Sequence, residues 1–254
     1  MKNLFLFLFL LVVFTSKAQD NRVSGLNSRQ FTKYWKVESE SPDYKVTFQG
    51  DTAEIVSPKG LTLWRKEKMS GKVTIEYDAC VVVESDGDRL SDLNCFWMAS
   101  DPQYPDNLWK REKWRSGIFL NCYSLQLYYL GYGGNHNSTT RFRRYDGDES
   151  GITNPKARPA ILKEYTDAGH LLKPNHWYHI KITNENNRVS YYIDGERLVD
   201  FRDAEPLREG WFGFRTTLSR TRITNFSYEC SSQEATAVPL QWIGETPRQD
   251  KVVS

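Results

Sequence analysis

Three arginines, a histidine and several aromatic side chains carry the chemistry most directly visible in this 254-residue chain. In Thr139-Thr140-Arg141-Phe142-Arg143-Arg144-Tyr145, a strand with Phe142 in the core puts Arg141 and Arg143 on the opposite face, with Tyr145 next along it. By the same alternation, inward Phe212 and Phe214 leave Trp211 and Arg215 facing outward. Three guanidinium groups on one sheet face match a carboxylate or sulfate through bidentate hydrogen bonds. Trp97 or Trp211 could stack on a sugar ring beside them. The same arginines could instead pair with the equally abundant Asp and Glu on a solvated face, and the residues alone leave both readings open. His136 and Tyr132 stand four residues apart at a glycine-rich turn, close enough to converge, with Tyr128 two pleats back as a reserve. His170, His176 and His179 fall at loop, turn and strand positions that favour them less.

The elements that must position these groups are strands. Lys72–Val83, Leu125–Tyr132, Thr139–Tyr145, Trp177–Thr183, Arg188–Asp194, Trp211–Thr216 and Arg222–Tyr228 are rich in β-branched or aromatic residues and bounded by Gly, Asn, Asp or Pro. Asp194-Gly195 reads as a hairpin turn leading into Leu198–Phe201. No stretch of a dozen residues carries a helical stripe. Asp146–Lys173 reads as a loop over one end of the sheets. Many short antiparallel strands give an all-β fold, an antiparallel two-sheet β-jelly roll of the concanavalin-A-like sandwich type.

Charge and composition limit the partners. Lys and Arg number 34 against 32 Asp and Glu, a net charge of +2, so no bulk positive field exists to hold nucleic acid or an anionic membrane. The 8 Trp, 14 Tyr and 13 Phe supply the buried area of one well-packed domain. Met1-Lys2-Asn3, the apolar run Leu4–Phe14 and Ser16-Lys17-Ala18 form a secretory signal peptide over residues 1–18, too short for a membrane span of about 20 residues. The domain then covers 19–230, with a C-terminal tail over 231–254, and the protein is expected to be exported, to the periplasm or beyond. Cys80, Cys95, Cys122 and Cys230 allow one or two disulfides or four free thiols. No CxxC pair suggests zinc, and no cofactor is expected. Glu84-Ser85-Asp86-Gly87-Asp88 could hold calcium or form a plain polar turn.

Two groups of segments carry a family resemblance. Asn175–Ile182, Tyr191–Glu196, Gly210–Arg215 and Ile223–Phe226 resemble the closing strands of concanavalin-A-like lectin and glucanase domains. With Asp92–Ala99, Tyr128–Asn137 and Thr139–Tyr145 added, the chain resembles secreted jelly-roll carbohydrate-active proteins of bacterial polysaccharide utilisation, of the alginate-lyase-like and ulvan-oligosaccharide dehydratase or lyase type. The Gln-x-His and Tyr-Phe-Lys-Ala-Gly motifs of alginate lyases do not occur.

What the resemblance implies is β-elimination at a uronate in an anionic, ulvan-type oligosaccharide, by a His/Tyr pair. That chemistry needs the carboxylate neutralised, the C5 proton removed and the leaving oxygen at C4 protonated. A sugar leaving group makes the enzyme a lyase; a hydroxyl makes it a dehydratase. The expected catalytic residues are His136 and Tyr132, and the expected substrate contacts are Arg141, Arg143, Arg215, Asn94, Trp97 and Tyr128. The alternatives are a non-catalytic carbohydrate-binding module, which needs the groove alone, and a glycoside hydrolase. The latter is disfavoured because no Glu-x-Asp-x-Glu strand supplies paired carboxylates.

Overall fold

The computed structural model describes residues 22–231. The expected signal peptide and the tail beyond residue 231 lie outside the described residues. Among the described residues there are fourteen strands: β1 (Val23–Ser24), β2 (Trp35–Ser39), β3 (Lys45–Gln49), β4 (Thr52–Arg65), β5 (Met69–Ser70), β6 (Lys72–Val81), β7 (Asn94–Ser100), β8 (Gln126–Gly133), β9 (Thr139–Asp146), β10 (Lys163–Tyr165), β11 (Tyr178–Glu185), β12 (Arg188–Ile193), β13 (Glu196–Arg202) and β14 (Glu209–Ser231). The pairings resolve into two layers that share their longest strands, as expected for an antiparallel sandwich. In one layer β10, β9, β8 and β7 lead to the first half of β14, then to β4 and β2. In the other, β13, β12, β11 and β6 lead to the second half of β14, which also pairs with the start of β4 beside β3.

The segments read as two closing strands, Trp211–Thr216 and Arg222–Tyr228, are one continuous strand. Its register shifts between Thr217 and Ser219, with Leu218 at φ 49°, so β14 passes from one layer to the other without leaving the hydrogen-bond ladder. The core between the layers holds Trp35, Tyr77, Trp97, Tyr128, Phe142, Tyr191, Phe212, Phe214 and Phe226. Phe142, Phe212 and Phe214 therefore face inward as the alternation requires.

A second, smaller core lies on the outer face of the first layer. Residues 101–125 fold over that face through short helical turns and bury Trp64, Phe96, Leu127, Tyr145 and Trp211. Arg115 anchors this cover. It is fully buried, with Nη2 3.0 Å from Glu38 Oε2 and Nη1 3.7 Å from Asp101 Oδ2. The cover reaches Leu127 and Tyr129 on β8 and Tyr145 on β9, and beyond them the sheet face opens as a cleft.

All four cysteines are free thiols. Burial pushes the Cys95 and Cys122 thiols up to about 12. At the acidic turn, Asp88 Oδ2 accepts from the Glu84 and Ser85 backbone N–H groups at 2.7 and 3.0 Å, and Glu84 pairs with Arg220, so those carboxylates are used in closing the turn. Among the described residues no cluster of His, Cys, Asp and Glu is placed to hold a metal ion, and no helix is long and apolar enough to cross a membrane.

Candidate functional site

The largest candidate is a cleft of about 470 Å³ on the uncovered face, framed by β7, β8, β9, β14 and the 119–123 and 158 segments. Five arginines line it, Arg89, Arg141, Arg143, Arg158 and Arg215, against two carboxylates, Glu40 and Asp92. Strand register puts them there. In the β8–β9 pair Tyr129 lies opposite Arg143 and Gly131 opposite Arg141, while Leu130 lies opposite Phe142 in the core. Directly opposed residues share a face. Asn94 lies opposite Arg215 and joins the same face from β7.

The arginines are not equivalent. Arg141 Nε binds Glu164 across the β9–β10 edge, a largely solvated pair. Arg143 Nη1 donates to the Pro159 carbonyl, and Arg158 Nε to the Gly151 carbonyl at 3.2 Å. Arg215 is 3% exposed; its Nη1 donates to the Gly117 carbonyl and lies 3.4 Å from Thr62 Oγ1, with its guanidinium 5.6 Å from the Phe119 ring centroid. Gly60 leaves room for that guanidinium, since a Cβ there would come 2.5 Å from Arg215 Nη2. Arg143, Arg158 and Arg215 thus form no ion pair with a carboxylate among the described residues. Arg143 and Arg158 are half-buried at the cleft surface, whereas Arg215 is nearly enclosed, with Glu40 also beside Gly60.

Tyr129 and His136 complete the cleft. Burial pushes the Tyr129 phenol well above its ordinary value, and Asp92 nearby adds to this while Arg215 and Arg143 oppose it, so the phenol stays protonated. His136 is exposed at the rim on a strained turn in which Asn135, His136 and Asn137 are all left-handed, at φ 51°, 58° and 59°. Each such non-glycine residue costs on the order of 1 kcal/mol. The turn is fixed by Asn137, whose Oδ1 accepts from Leu172 N at 2.8 Å and whose Nδ2 donates to Leu172 O at 2.9 Å.

Of the expected site residues, His136, Arg141, Arg143, Arg215 and Asn94 meet in this cleft, and three do not. Tyr132 is 2% exposed on the core side of β8, edge-to-face with Tyr178, and its hydroxyl donates to the Leu171 carbonyl at 3.3 Å. It does not converge with His136. Tyr128 is fully buried and donates to Asp203 Oδ2 at 2.6 Å. Trp97 is fully buried against Tyr128, Phe142 and Tyr191 and presents no face to a ligand. Trp211 does face away from the main core, but the 101–125 cover and Trp109 bury it. Arg144 points to the other side of β9 and binds Asp203 at 2.7 Å.

Residues that sequence reading did not assign are Arg89, Asp92, Tyr129 and Arg158. Tyr129 was reachable by carrying the Phe142 argument one strand over. Gln126–Gly133 is aromatic on both faces, however, so its own alternation does not say which tyrosine faces the cleft. The remaining histidines lie elsewhere: His170 is held between Asp167 and Glu196, His176 packs edge-to-face on Tyr178 with Nε2 3.8 Å from Asp194, and His179 Nδ1 is 2.7 Å from Asp78.

The fold recurs in solved structures at low identity. A protein of unknown function with a galectin-like fold from Bacillus subtilis is similar at TM-score 0.64 and 15% identity, over 84% of this chain and 96% of that one. The carbohydrate-binding module CBM66 from Bacillus subtilis is similar at TM-score 0.51 and 16% identity, over 77% and 94%. The exoplasmic/lumenal domain of VIP36, in a form bound to calcium and Man3GlcNAc, is similar at TM-score 0.52 and 9% identity, over 85% and 91%. These likenesses support the jelly-roll sandwich. No curated protein matches the sequence. The model of the family described as a domain of unknown function, DUF6250, matches residues 55–226, a span that carries β7, β8, β9 and most of β14 with the whole arginine cluster, and the chain belongs to that family.

Proposed function

We propose that the protein takes an anionic carbohydrate into this cleft and acts on a uronate ring by β-elimination, in oligosaccharides of the ulvan type. The observation that carries the reading is the set Arg143, Arg158 and Arg215, three guanidinium groups around one cleft with carbonyls rather than carboxylates as partners. A uronate carboxylate supplies the missing anion, and charge-assisted pairing lowers the cost of the enolate that forms when C5 loses its proton. Tyr129 takes the place expected of Tyr132, because it shares the cleft face with the arginines. His136 removes the C5 proton and the protonated Tyr129 phenol gives its proton to the oxygen leaving C4. The C5–H and C4–O bonds break, a C4–C5 double bond forms, and the proton returns from His136 to Tyr129 through water.

A non-catalytic binding module is the second reading. It is favoured by the fold shared with CBM66 and the VIP36 lumenal domain, and by the rim position of His136, whose ring has no orienting hydrogen bond among the described residues. Incubation with ulvan, alginate and pectin fragments separates the two, read by ultraviolet absorbance of the conjugated product. Elimination predicts a rising signal that His136→Ala and Tyr129→Phe abolish and Tyr132→Phe retains. Saccharide binding with no product leaves the module. Product masses tell loss of water from chain cleavage, and cleavage without a double bond marks a glycoside hydrolase.

A further inference from the structure

The buried end of the cleft differs in kind from its mouth. Arg89 Nη1 lies 3.2 Å from Asp92 Oδ2 and donates to the Thr217 carbonyl at 3.1 Å, so its charge is already balanced. Asn94 Nδ2 lies 3.4 Å from Asp92 Oδ1. Asp92 and Asn94 are 6% and 7% exposed, yet Asn94 Oδ1 and Arg89 Nε have no hydrogen-bond partner, and Asp92 Oδ2 has only its ion pair with Arg89. An acceptor and a donor left unsatisfied in a buried wall, beside a carboxylate oxygen held by one ion pair, cost free energy unless a ligand completes them. Asp92 also holds a left-handed backbone at φ 66°, which turns the chain into β7 and brings its carboxylate beside Asn94.

We propose that Arg89, Asp92 and Asn94 form a subsite for an uncharged, hydroxyl-bearing sugar ring next to the uronate, so that the ligand carries a neutral ring beside its anionic one. This rests on the saccharide reading of the cleft and deepens it. Sugar hydroxyls both donate and accept, which is what an acceptor pair beside a guanidinium N–H requires. Burial holds the Asp92 carboxyl above its ordinary value, with Arg89 opposing; because Arg89 is already paired with Asp92, it offers no spare charge to a second anion. Arg143 and Arg158 at the mouth take the charge, together with Arg215, which lies opposite Asn94 where the two subsites meet.

Calorimetric titration of the full chain with glucuronate, with a methyl hexoside and with a disaccharide joining the two rings tests the assignment. The disaccharide is expected to bind at least about tenfold more tightly than glucuronate. Asn94→Ala removes that gain and leaves glucuronate binding unchanged, whereas Arg143→Gln weakens both acidic ligands alike and flattens their salt dependence. Arg89→Gln serves as the second variant where Asn94→Ala unfolds. A disaccharide gain that survives both inner substitutions overturns the subsite. Hexoside binding that Asn94→Ala abolishes, without any glucuronate binding, keeps the subsite and overturns the anionic reading. No binding by any of the three ligands overturns both.

Discussion

The Tyr129 hydroxyl lies directly over Gly131, where a Cβ would come 2.3 Å from the phenol oxygen. Two positions along the same face of β8, the tyrosine reaches the arginines only because residue 131 has no side chain.

Gly131→Ala is therefore expected to displace the phenol while leaving the sandwich intact. Gly131 has no positive φ, so the substitution acts by contact rather than by backbone strain. Turnover of uronate oligosaccharides should fall at least about tenfold, about 1.4 kcal/mol, with the melting temperature lowered by only a few degrees. A variant with full activity would place the phenol outside the chemistry.

Tyr128 makes the opposite prediction to the one its sequence position suggests. Asp203 accepts from Tyr128 Oη, from Arg144 Nε at 2.7 Å and from Glu205 N at 2.9 Å. Burial would raise this carboxyl, but these bonds outweigh it and hold it below the usual range. A depressed folded-state value contributes stability above the unfolded value, and that stability is lost as pH falls through the folded one. Tyr128→Phe should cost about 1–3 kcal/mol at neutral pH, by a deficit that shrinks as the pH drops below about 4, with saccharide binding unchanged. Chemical denaturation across pH, paired with titration calorimetry, reads both effects.

His170 ties the 166–176 segment to the β12–β13 hairpin, with Nδ1 2.7 Å from Asp167, Nε2 3.1 Å from Glu196 and the ring stacked 4.1 Å from Tyr165. Burial would lower its value, but the two carboxylates prevail and raise it. The protonated form is thus favoured in the fold; its contribution is full below the unfolded value and is lost as pH rises through the folded one. The ring resonances should titrate above about 6.5, and amide protection in 166–176, corrected for the intrinsic pH dependence of exchange, should fall on the alkaline side. His170→Gln should remove that pH dependence.

The Arg115–Glu38 pair should behave as a structural pair for the 101–125 cover. Burial raises the Glu38 carboxyl, and Arg115 counters it. Arg115→Met strands Glu38 in a buried site, while Asp101 keeps its bidentate pair with Arg111, at an expected cost of about 3–5 kcal/mol in stability. Since a raised carboxyl value favours the fold below the unfolded value and loses that contribution as pH rises, the defect should be smallest in acid. Thermal unfolding at several pH values measures it.

Strand alternation in the sequence determined much of this protein. Phe142 inward required Arg141 and Arg143 outward, and Phe212 and Phe214 inward required Arg215 outward; both hold in the sandwich. The all-β class followed from the same period of two. Alternation gives relative faces within one strand only. Gln126–Gly133 carries aromatics on both faces, so the choice between Tyr129 and Tyr132 waited on its register against β9. Burial of outward residues was likewise invisible: Trp211 has the right parity for a ligand platform and is covered by residues distant in sequence. Arg89 and Arg158 come from loops without a periodic signal, and long-range packing alone brings them to the cleft. The sequence determined which side chains could share a face. The tertiary structure decided which faces stay open to solvent, because that depends on chain segments folding over one another rather than on local pattern.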